Sequence, residues 1–210
     1  MDSKKVEAED LTYIGHGHES IVVKNNNKPE QVIAFSYLDM PPERAIRIYY
    51  MQRIYAILFP HNFPHFFAAR GGKNSMTHRQ EIIPSDAKPK HPFEEVTKIC
   101  EKWEIPQPWL YDPVSVNFLI GLDGGEYYVD QLFTPQNPLD LKKALMYMKN
   151  SGYSNKDQEI VRHNIDRIIN VYRKYGRLPP EQEDSPSRQG LIYRLVQILK
   201  KLKNKLSNEH

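Results

Sequence analysis

The stretch from Tyr111 to Asp130 reads Tyr-Asp-Pro-Val-Ser-Val-Asn-Phe-Leu-Ile-Gly-Leu-Asp-Gly-Gly-Glu-Tyr-Tyr-Val-Asp. It predicts a loop, a strand over Phe118–Ile120, a tight turn at Asp123-Gly124-Gly125 and a return strand over Tyr127–Val129. Such a hairpin carries its first and last polar residues at one end. Asn117 precedes the outgoing strand and Asp130 follows the incoming one, so their side chains can converge. With Asp112 as a third oxygen-bearing group, the set has the donors that a hard cation holding phosphates requires. Asp and Asn are also common turn residues, and the same segment reads equally as a hairpin with Asx-type caps.

A second segment, Leu11-Thr-Tyr-Ile-Gly-His-Gly-His-Glu-Ser-Ile-Val-Val-Lys24, reads as strand, Gly-rich turn, strand. Gly15 and Gly17 let the backbone approach an anionic group and adopt positive φ. Exposed amides in such a turn can bind phosphate oxygens. An ordinary hairpin turn would leave the same trace. No Walker A motif is present, which disfavours a P-loop NTPase.

Between these segments the order of elements is regular. Asn25–Pro29 predicts a turn and Gln31–Tyr37 a third strand. Asp39 is placed to cap a helix opening at Pro41-Pro42 and running to about Phe59, with Ile48, Tyr55 and Leu58 at helical spacing. Pro60–Pro64 ends it. Phe66–Ala69 and Gln80–Ile83 predict a strand pair around Gly71-Gly72. Pro84–Pro92 is a Pro- and Lys-rich connection. Helices are expected over 93–103, 138–149, 156–175 and 187–206, with a Pro-rich acidic linker over 176–186.

The spacing Asp112-x4-Asn117-x12-Asp130, preceded by the Gly15/Gly17 turn with Val22 in register, resembles the protein-kinase-like superfamily. The match covers residues 11–133. It implies an α+β, two-lobed fold: a five-stranded antiparallel sheet with one helix over 1–84, a hinge over 85–91, and a reduced, mostly helical lobe over 92–210. By resemblance, Asp112 would act on the acceptor hydroxyl, and Asn117 and Asp130 would hold Mg²⁺. Gly15, Gly17, Ser20 and Val22 would cover the phosphates of ATP, and Ile83 would border the adenine. Several parts depart from the pattern. Ser20 stands for the third glycine, and Phe35 for the strand lysine. Gln52 is the polar stand-in for the helix glutamate. Leu110-Tyr111 precedes Asp112, and Gln131-Leu132 follows Asp130. These departures argue against a protein kinase and point toward the small-molecule phosphotransferases. Lys24 projects to the same strand face as Val22 and is the candidate replacement cation. The chain is therefore read as a nucleotide-binding pseudokinase or interaction module. An active Mg-ATP-dependent transferase acting on a small molecule is the alternative.

Composition bounds the rest. Apolar residues make up 40% and charged residues 26% of 210, ordinary for a globular protein. No apolar run reaches membrane-spanning length, the first ten residues are polar, and Cys100 is the single cysteine, so a cytoplasmic protein is expected. His16, His18, His61 and His65 lack metal-ligand spacing. The segment Arg188–Leu206 carries six basic and no acidic residues around a wide apolar stripe. It reads as a core helix with a solvated basic face, or as a surface for an anionic partner, protein or nucleic acid. Net charge +3 does not by itself select nucleic acid.

Overall fold

The computed structural model describes residues 11–16, 20–36, 41–72, 75–84, 93–110, 117–129, 132–133, 135 and 137–175. Chain contacts divide the molecule into units 1–176 and 177–210. The second unit lies outside the described residues, and with it the expected helix over 187–206. The expected hinge at 85–91 lies outside them as well.

The described residues form an α+β fold. Strands β1 (Leu11–His16), β2 (Ser20–Asn25) and β3 (Lys28–Ser36) lead into helix α1 (Pro42–Leu58), followed by β4 (Phe66–Gly72) and β5 (Ser75–Glu81). These five strands make one antiparallel sheet in the order β1-β2-β3-β5-β4, with α1 inserted after the third strand as the sequence predicts. Strand β3 begins at Lys28, inside the expected turn, because Asn25 closes a shorter turn by accepting from the Asn27 amide at 3.0 Å. The helix N-cap is Pro41, with no side-chain cap bond. Asp39, the expected cap, lies outside the described residues.

Helix α1 is buried on most of its circumference, as a helix between two layers must be. Ile48, Tyr55 and Leu58 are at most 2% exposed. Beyond it come α2 (Glu94–Trp103), β6 (Trp109–Leu110), the hairpin β7 (Phe118–Ile120) and β8 (Glu126–Tyr128), and β9 (Leu132–Phe133). A 3-10 turn (Pro138–Lys142), α3 (Lys143–Asn150) and α4 (Asn155–Tyr175) complete the unit. The helix expected over 138–149 is thus split. Asn137 accepts from the Leu139 amide and starts the tighter 3-10 turn.

One apolar cluster joins α1 to α2, the β7–β8 hairpin, β9, α3 and α4. Tyr55, Phe59 and Phe63 meet Phe93 and Val96 of the α2 region, Phe118 and Tyr128 of the hairpin, Leu132, Leu141, and Ile165 and Ile168 of α4. The Tyr55 hydroxyl donates to the Pro106 carbonyl, and that of Tyr153 to Leu58 at 2.6 Å. Phe93 stands at φ 67, a conformation a bulky residue seldom adopts. Its ring is buried against Phe63 and Phe118, and its amide reaches the Glu126 carboxylate at 3.3 Å.

Candidate functional site

Cross-strand partners point to the same face of a sheet, so the register fixes what lies beside what. Val22 is opposite Ala34, and Ala34 opposite His78; Lys24 is opposite Val32, and Val32 opposite Gln80. Val22, Lys24, Ala34, His78 and Gln80 therefore share one face, while Ile21, Val23 and Ile33 share the other. The burial alternation of β2 agrees: Ile21 and Val23 are buried, and Ser20, Val22 and Lys24 are half-buried.

This register corrects one expectation. Phe35 is opposite Ile21, on the far face, whereas Ser36 is opposite Ser20 on the face of Val22. The third-strand position that shares the face of Val22 and Lys24 is therefore Ser36, with its side chain 4% exposed. Counting along the sequence cannot reveal this, because a one-residue offset inverts every side chain of a strand.

The hairpin forms as expected, ending one residue earlier on its return strand. The Val129 amide donates to the Asn117 carbonyl at 3.0 Å, which brings Asn117 beside the residue that precedes Asp130. Gln80 then joins sheet to hairpin, its Nε2 donating to the Val129 carbonyl at 3.1 Å. The sheet face carrying Val22 and Lys24 thus abuts the open end of the hairpin. The Gln80 Oε1 and the His78 Nδ1 are buried without a hydrogen-bond partner among the described residues. The His78 ring stacks on Phe66 at 4.9 Å, and burial pulls its pKa down to about 4, so it is neutral near pH 7.

Of the other sequence-predicted site residues, Gly15 sits in β1 opposite Val22, just past a bulge, with nothing within 4 Å of where a Cβ would stand. Its φ is not positive, against expectation; the bulge supplies the bend. Ile83 follows the end of β5 and is half-buried. Gly17, Asp112 and Asp130 lie outside the described residues. Gln52 is fully buried in α1. Among the described residues no group of three His, Cys, Asp or Glu side chains is gathered as for a metal ion. Burial raises the Cys100 thiol to about 12, which keeps it protonated.

His61 and Asn62, to which the sequence reading assigns no such role, fasten the hairpin. The turn after α1 lies along β8: the Tyr128 amide donates to the Asn62 carbonyl at 2.9 Å, and Asn62 Nδ2 donates to the Glu126 carbonyl at 3.1 Å. Asp123 accepts from Tyr127 Oη and lies against His61 Nδ1, both at 2.8 Å, and from the Gly125 amide at 3.1 Å. These bonds, from His61 first, hold its carboxyl near 2. A Cβ on Gly125 would stand 2.5 Å from the His61 carbonyl oxygen. The signal in the sequence was His61-Asn62 between two prolines, which reads there only as a helix stop.

No family model and no curated protein matches the chain. Solved structures of WbdD are similar to it. One gives 15% identity over 87% of this chain and 49% of that one, at TM-score 0.33. Another, described as a bifunctional kinase-methyltransferase, gives 16% identity over 84% and 47%, at TM-score 0.31. The chain spans about half the length of these WbdD chains. A TM-score of 0.33 is too loose an overlap to carry an argument, so the functional reading rests on the residues. No helix among the described residues is long and apolar enough to cross a membrane.

Proposed function

We propose that the chain is a degenerate kinase-like protein that binds a Mg²⁺-nucleotide between the sheet and the hairpin, with little or no phosphoryl transfer. The observation that carries the reading is the Gln80–Val129–Asn117 connection. It supports the reading because it ties the face that carries Val22 and Lys24 to the hairpin end that Asn117 opens. Gly15 leaves open space where a phosphate would approach the backbone. The residues present therefore fit the group. Bound Mg-ATP would supply the transferable phosphoryl group and the divalent charge that neutralises it.

Each residue then has a bounded part. Asn117 and Asp130 would hold the cation, Asp112 would orient an acceptor, and Lys24 would contact a phosphate oxygen. Lys24 stands two strands from Gln80 in one cross-strand row, roughly 10 Å between backbones, which an extended lysine partly closes. The absence of a lysine at both Phe35 and Ser36 favours binding over turnover, because loss of one such donor lowers rate about 10²–10³-fold.

Calorimetric titration of ATP with and without Mg²⁺ tests the reading. Wild-type protein should bind with Mg²⁺, and Asp130→Ala, Asn117→Ala and Lys24→Met should each weaken binding by about tenfold or more. Equal binding by all three variants would refute it. Phosphate release at a steady rate would instead identify an active transferase.

A further inference from the structure

We propose that the groove between α1 and α4 is a docking site for an acidic peptide segment with an apolar middle. This surface is separate from the proposed nucleotide cleft. The groove is an open trough of about 470 Å³. Two helix faces at regular spacing line it, Ile46, Tyr49 and Tyr50 on α1 and Arg167, Asn170, Val171 and Lys174 on α4, with Ala69 of β4 beside them. The helices run antiparallel. Arg47 near the start of α1 lies over the Tyr172 ring near the end of α4, at 4.6 Å, while Leu58 at the end of α1 accepts from Tyr153 just before α4.

The apolar part of this groove is only partly covered by its own fold. Ile46 is 41% and Tyr175 49% exposed, two of the few large apolar side chains left open among the described residues. Tyr49 and Tyr50 meet edge to face at 5.1 Å, and Arg53 fixes Tyr49 by a 2.8 Å bond to its hydroxyl. The aromatic side of the groove is thus held in place before anything binds, which lowers the ordering cost of association.

Charge selects the occupant. Arg167 and Lys174 line the groove, and no Asp or Glu does so among the described residues. The two cations are seven residues apart on one helix face, roughly 10 Å. One carboxylate or one phosphate drawn between the two side chains would leave Ile46 and Tyr50 uncovered. Two acidic residues on a single segment, flanking apolar side chains, can meet both cations and cover Ile46 and Tyr50 at once.

The test is fluorescence polarisation with a labelled short peptide bearing paired glutamates at each end and leucine and phenylalanine between. A lysine-ended peptide of the same core and free inorganic phosphate are the comparison probes. The acidic peptide should bind at low salt, weaken steeply as salt rises, and resist displacement by phosphate. The double variant Arg167→Glu/Lys174→Glu should bind about tenfold more weakly or worse. Ile46→Asp, at a 41% exposed position, should do the same while keeping the circular dichroism spectrum of the wild type. The proposal is overturned by no binding at low salt, by binding indifferent to the charge reversal, or by equal binding of the lysine-ended peptide. Full displacement by phosphate would make the groove a small-anion site. Self-association abolished by Ile46→Asp without peptide binding would make it a contact between copies of this chain. None of these outcomes depends on nucleotide binding.

Discussion

Two glycines of the same chain have opposite tolerances. Gly125 abuts the His61 carbonyl, and backbone cannot yield as a side chain does. Gly125→Ala should therefore cost about 1–3 kcal/mol, the range for overpacking, while Gly15→Ala should leave stability within about 1 kcal/mol. Urea denaturation of the two variants checks this, and equal losses would contradict the account. His78 gives a pH signature. Its unfolded value is 6.5 and its folded value about 4. Between those values the unfolded chain binds a proton that the native state refuses, so stability rises with pH through that window and is flat above it. The contribution is about 3 kcal/mol across the window. His78→Leu should remove that part of the slope when denaturation midpoints at pH 4 and pH 7 are compared; identical slopes would contradict it.

At the scale of elements, Gln80 ties sheet to hairpin. Gln80→Leu removes the donor to the Val129 carbonyl and should cost about 1–3 kcal/mol. The loss should be local. Hydrogen exchange at the Val129 amide, bonded to Asn117, should speed up, while the Gly121 amide, bonded to Gly125 at 2.8 Å, keeps its protection. Uniform change along the hairpin would count against this connection. The elements themselves were legible because each carries a local cause. Pro at the start of α1 and Asp-Gly-Gly at the β7–β8 turn act within a few residues, and each expected strand overlaps an observed one, though two sit earlier than expected: β5 is Ser75–Glu81 where Gln80–Ile83 was expected, and β8 is Glu126–Tyr128 where Tyr127–Val129 was expected. Their pairing was not legible. The offset of Phe35 and Ser36 is decided by partner strands far away in sequence, and the lie of Asn62 along β8 depends on Glu126 and Tyr128, more than sixty residues on.

For the whole molecule, the order strand-turn-strand, strand, helix, strand pair, then hairpin was readable from punctuation and periodicity. The closure of sheet onto hairpin through Gln80 was not, because a glutamine in a strand carries no mark of which backbone it will reach. Of the expected site, Val22 and Lys24 share one sheet face, Gln80 of that face bonds to Val129 beside Asn117, and Gly15 lies at a bulge where positive φ was anticipated. The fold and the proposed cleft thus stand on different supports: local chemistry for the first, long-range register for the second. The central claim is that both sides of this cleft meet one phosphate-bound cation. Nuclear magnetic resonance with Mn²⁺ replacing Mg²⁺ in the presence of ATP addresses it directly. The account expects the amide signals of Asn117 and Val129 to broaden together with those of Gly15, Ser20 and Lys24, while Ile46 and Tyr175 stay sharp. Broadening confined to one of the two groups, or absent from both, would contradict it.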